Sequence, residues 1–117
     1  MSVQDPFLGT ELKLNIHIDP IDGQHMADYD FEVDVYCNPK KSITATKTGK
    51  GTDEKLENLV NVTGDGSQDN YIVLVDSNEI GSGNIMCKIT AYIPDDSFKD
   101  GLRTEVVVVD TGIVINK

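Results

Sequence analysis

Two histidines, two cysteines and a series of carboxylates are the residues whose types could do chemistry in this chain. His17 and His25 would act as a base or as metal ligands only beside a nucleophile or further ligands. Spacing ties neither to a serine, a cysteine or a carboxylate pair in a known arrangement, and G-x-S-x-G is absent. Cys37 and Cys87 fall on the apolar faces of two strand patterns, as the sulfurs of a sandwich-bridging disulfide would. No tryptophan is present to pack against such a bridge, and the opening Met1-Ser2-Val3-Gln4-Asp5-Pro6 has neither a basic nor an apolar signal region. Reduced thiols are therefore expected. Zinc is not, because C-x-x-C is missing and the histidines are not spaced to complete a site.

The acids Asp19, Asp22, Asp28, Asp30, Glu32 and Asp34 follow one another with no lysine or arginine between them. Calcium wants six or more oxygens converging on one point, and the D-x-[DN]-x-[DN]-G loop is absent. Asp30, Glu32 and Asp34 alternate along one strand face, which spreads charge and reads as a solvated surface. Asp65, Ser67 and Asp69 raise the same question and receive the same answer. Gly81-Ser82-Gly83 is a turn before a strand, with no helix N-terminus to hold phosphate. No catalytic residue, metal site or cofactor is assigned, and a non-enzymatic protein is expected.

The elements that must position these groups are strands. Leu12, Leu14, Ile16 and Ile18 alternate with polar residues over 11–19, and Tyr29, Phe31, Val33, Val35 and Cys37 share a face over 29–37. A short strand is expected at 42–47 with Ile43 and Ala45 inward, followed by a glycine-bearing loop. The 53–62 stretch reads as a helical turn or loop and then a short strand. An apolar run at 71–76 reads as a central strand, and Asp76 to Gly81 as a capped turn stopped by glycine. The longest strand is expected at 84–93, with two more at 102–110 and 113–116 split by Thr111-Gly112. Seven or eight short strands with turn signals predict an immunoglobulin-like antiparallel β-sandwich, with a small barrel as the alternative.

At 117 residues the chain is expected to be one domain, 1–117, with an N-terminal arm over 1–8. A net charge of −10 disfavours nucleic acid as a partner, since phosphates would repel it. No apolar run approaches the ~20 residues of a membrane span, so no membrane partner is expected. Synthesis in a cytoplasm is the expectation. Five of the ten bases fall between 40 and 55: Lys40, Lys41, Lys47, Lys50 and Lys55. They predict a basic loop end opposite an acidic strand face, a dipole suited to docking on a charged surface. Tyr36 and Tyr92 on polar faces, and Phe7 and Phe98 outside strands, are candidate anchors. The interface candidates are thus Phe7, Lys40, Lys41, Lys47, Lys50, Tyr92 and Phe98.

Two stretches carry a resemblance: Gly9-Thr10-Glu11-Leu12-Lys13-Leu14 through Asp28-Tyr29-Asp30-Phe31-Glu32-Val33, and Asp69-Asn70-Tyr71-Ile72-Val73-Leu74-Val75-Asp76 through Ala91-Tyr92-Ile93-Pro94-Asp95. Phe98-Lys99-Asp100-Gly101-Leu102-Arg103-Thr104-Glu105-Val106 closes the pattern. The chain resembles small immunoglobulin-like virion proteins of tailed bacteriophages, especially crAss-like phages. The resemblance implies an auxiliary capsid (decoration) protein on the capsid exterior, with the major capsid protein, other virion proteins or head fibre proteins as partners. A capsid- or tail-fibre attachment subunit is the alternative it leaves, and stopping after one domain favours decoration. A glycan- or host-surface-binding module is the alternative from another class. Tyr36 and Tyr92 would be its stacking platforms, and the absence of tryptophan argues against it.

Overall fold

The computed structural model describes residues 5–38, 40–63 and 69–117. Asp65 and Ser67, and the first four residues of the arm, lie outside these. Strands β1 (Glu11–His17), β2 (Asp30–Asn38), β3 (Lys41–Thr48), β4 (Lys55–Glu57), β5 (Leu59–Asn61), β6 (Asn70–Asp76), β7 (Gly83–Pro94) and β8 (Leu102–Ile115) form two antiparallel sheets. One has the order β1-β6-β5, the other β4-β3-β2-β7-β8. The sheets pack as a β-sandwich, and open outer strands on both sheets separate it from a closed barrel.

The core follows the period-2 patterns. Leu14 and Ile16 from β1 and Tyr71, Val73 and Val75 from β6 bury against Phe31, Val33 and Val35 of β2 and Ile85, Cys87, Ile89 and Ile93 of β7. The Phe31 ring centroid lies 5.2 Å from that of Tyr71 and 6.2 Å from that of Tyr29, both edge to face, the arrangement that ring quadrupoles favour. Asp76 caps the short helix α1 (Ser77–Ile80) by accepting from the Asn78 N–H, and Gly81 ends it at φ 84°, as its residue types predict.

Three local expectations change. The turn expected within 53–62 is a 3₁₀ turn at Gly51–Asp53, and two strands follow it. Asn58, at φ 56°, separates those strands and carries the chain from the five-stranded sheet to the three-stranded one. Thr111-Gly112 does not split the last strand. The extra residues form a bulge opposite Ile85, where the register steps from Asn84↔Val114 to Met86↔Asp110.

The loop before β4 depends on Gly49, whose φ of +73° suits glycine. A Cβ there would also run into the backbone carbonyl of Asp53. Gly49→Ala is expected to cost about 2–3 kcal/mol, read as a lower urea midpoint at unchanged m.

Candidate docking surface

The two sheets differ in width, and that difference creates the main surface feature. At ~4.8 Å between strands, three strands span about 10 Å and five about 19 Å, so the smaller sheet cannot cover the larger. Of its two outer strands, β4 has only three residues, all exposed, and the long uncovered strand is β8. It pairs with β7 over nearly its whole length and has no neighbour on its other side among the described residues. Val106, Val107, Val108 and Val109 are 55%, 52%, 53% and 42% exposed, although Val107 and Val109 stand beside Ile89 and Cys87 on the core-facing side.

Exposed apolar residues also stand at both ends of β8. At its start, Leu102 is exposed, and Phe98 stands on a tight turn closed by Asp95 N–H to Gly101 O at 2.9 Å and Gly101 N–H to Phe98 O at 2.9 Å. At its far end, Phe7 forms a parallel bridge with Asn116, and the Leu8 N–H donates to Asn116 O at 2.7 Å. Phe7, Leu8, Phe98, Leu102 and the four valines are eight of the eleven large exposed apolar residues among those described; the other three are Leu56, Val60 and Leu74. From Leu102 to Val109 the apolar strip runs for roughly 25 Å at ~3.3 Å per residue, and Asp110, Thr111 and Gly112 stand between it and Phe7. Phe98 and Phe7, chosen from sequence as separate anchors, stand beyond the two ends of β8.

Charges bracket the valines. Arg103 Nη2 meets Asp22 at 2.8 Å, its Nη1 meets Asp95 at 3.0 Å and its Nε lies 3.2 Å from Glu105. One cation thus serves three carboxylates, which leaves that end acidic. At the other end Asp110 accepts from Asn84 Nδ2 at 2.8 Å and the Gly112 N–H at 2.9 Å. These two bonds, the Asn84 amide first, hold its carboxyl below the usual range.

The lysines do not form one basic end. Lys40 and Lys41 lie where β2 turns into β3, beside α1, and Lys41 Nζ donates to Asn78 O at 3.1 Å. Lys50 and Lys55 lie at the opposite end of β3. Lys50 and Tyr92 do come together, lining an open pocket with Leu102 at the Phe98 end. The Tyr92 hydroxyl donates to Glu32 at 3.1 Å. Lys47 leaves the surface set altogether. It is fully buried, and its ammonium donates to the carbonyls of Ala27 and Tyr29, both at 2.8 Å. Burial lowers its pKa.

The histidines, which spacing ties to no carboxylate pair in a known arrangement, both meet Asp69. His25 Nδ1 lies 2.8 Å from Asp69 Oδ2, and Asp69 Oδ1 accepts the Met26 N–H at 2.7 Å. His17 Nδ1 lies 2.8 Å from the Asp69 carbonyl, and its Nε2 lies 2.9 Å from Asp19. Asp69 is buried, and both of its carboxylate oxygens are taken up in holding the 3₁₀ turn Met26–Asp28 against the start of β6. Hydrogen bonding to Asp19, then to the Asp69 backbone, raises the His17 pKa; hydrogen bonding and charge from Asp69 raise that of His25.

The cysteines are free. Both lie on the five-stranded sheet, Cys37 on β2 and Cys87 on the neighbouring β7, so neither can bridge the two sheets. Burial pushes the Cys87 thiol up to about 11, and Cys37 Sγ points to Gly83 O at 3.4 Å. Neither a family model nor a curated protein matches this chain.

Proposed function

We propose that this chain is a non-enzymatic virion protein, an auxiliary capsid protein that docks on the outer capsid surface through the β8 strip. The observation that supports docking is the gathering of eight exposed apolar side chains along β8 and at its two ends. Soluble proteins normally blunt such an edge, and contiguous apolar surface marks an interaction site. The virion context comes from the family resemblance. Docking of this kind is passive: apolar contact in the middle, polar contact at the ends, repeated over a symmetric lattice. Repetition makes a modest energy per site effective.

Quantitative proteomics of purified particles tests this reading by counting the chain per major capsid subunit. A sizeable fraction of the capsid count is expected. A few copies per particle would assign the chain to a fibre or tail attachment instead, and its absence would remove the virion reading. Val106→Asp with Val108→Asp is expected to weaken the affinity for particles at least about tenfold, which corresponds to roughly 1.4 kcal/mol per site. The fold should persist, since both valines are more than half exposed.

A further inference from the structure

The core-facing side of β8 and the free edge of β1 enclose a groove. One part, of about 330 Å³, is lined by Lys13–His17 on one wall and by Cys87, Ile89, Val109, Asp110 and Thr111 on the other. A second part continues it past Ile18 and Ile21 to Ala91, Glu105 and Val107. β1 bonds only to β6 among the described residues, so the backbone groups along its outer edge have no strand partner. Half-exposed valines and an unpaired strand thus face the same space. A single added strand would answer both: hydrogen-bonded to β1, it would become the fourth strand of the smaller sheet and lie over Val107 and Val109.

We propose that this groove accepts an extended segment of a partner protein, about five to seven residues long, with alternating apolar side chains and lysine or arginine at its ends. Charge selects this occupant. The groove runs between Asp110 and the carboxylates around Arg103, with Lys13 as the cation among its described lining residues. The whole chain carries −10. A second copy would bring the same acids and the same net charge to both ends of the groove. A basic-ended strand meets the opposite sign at both ends.

This inference rests on the docking reading of the strip but not on the capsid as its partner. The test uses the purified full chain and two synthetic probes, Lys-Val-Thr-Val-Thr-Val-Lys and its glutamate-ended counterpart. Titration followed by backbone NMR and amide exchange should show the lysine-ended peptide binding with a Kd below about 1 mM and protecting amides of β1. The glutamate-ended peptide, and the Val107→Asp, Val109→Asp double variant, should bind about tenfold or more weakly. Added salt should narrow the gap between the two peptides. Equal binding of both peptides, no binding, or protection confined to the open edge of β8 would each overturn the proposal. So would a stable dimer of the free chain that the double variant abolishes. None of those results changes the copy number on particles, so the two readings fail separately.

Discussion

Lys47→Ala is expected to lower unfolding stability by about 3–5 kcal/mol, the largest loss of any surface-type residue in this chain. Its stem fills the end of the core opposite Phe31, and its ammonium is the donor to two carbonyls, those of Ala27 and Tyr29. Truncation leaves a cavity where the methylenes were and bares carbonyls at a cost of about 1–3 kcal/mol. Lys47→Met separates the two effects. It keeps most of the stem and should cost only the lost donors, about 1–3 kcal/mol. Lys40→Ala and Lys41→Ala, at exposed positions, should stay within about 0.5 kcal/mol of the parent. Urea unfolding of the four variants provides the comparison, and a Lys47→Ala midpoint equal to the parent's would refute the role given to this side chain.

Asp69→Ala should cost about 3 kcal/mol and also alter how stability depends on pH. The substitution strands the buried Met26 N–H and puts alanine at φ 58°, a conformation that aspartate and asparagine tolerate better. The pH argument concerns His25 and His17. Both folded pKa values are raised above the ordinary imidazole value of 6.5. Their protonated forms therefore favour the folded state, and this contribution is complete below about pH 6.5 and is lost as pH climbs through the raised values. The parent melting temperature should fall between pH 6 and 8. Asp69→Asn retains the acceptor for Met26 and the backbone preference, but removes the negative charge that favours His25 as a cation. It should remain near parental stability above pH 8 while losing much of the gain on acidification. An undiminished pH slope in Asp69→Asn would show that the Asp69 carboxylate is not what shifts His25.

Much of the fold was legible from alternation. The inward sets on β1, β2 and β7, the central position of β6 and the capped turn at α1 follow from residue types one strand or one turn at a time. Lys47 was legible too. The alternation that turns Ile43 and Ala45 inward turns residue 47 inward as well, and only its charge argued for the surface. Long side chains can satisfy that pattern when the ammonium finds carbonyls at the end of the core. Asp69 was not legible, because it meets His25 across 44 positions and no motif spans that separation.

By itself the sequence determined an acidic, all-β chain and the strands whose faces must be buried, and left sandwich and small barrel both open. Period-2 alternation and turn chemistry are local, and each strand carries its own record of them. The number of strands assigned to each sheet was decided by tertiary structure, as was everything that follows from it. Val106-Val107-Val108-Val109 reads in sequence like any buried strand. It stands open because a three-stranded layer is too narrow to cover a five-stranded one, and because β8 lies on the side that β1 does not reach. The open valines of β8, and the groove beside them, come from that mismatch in width.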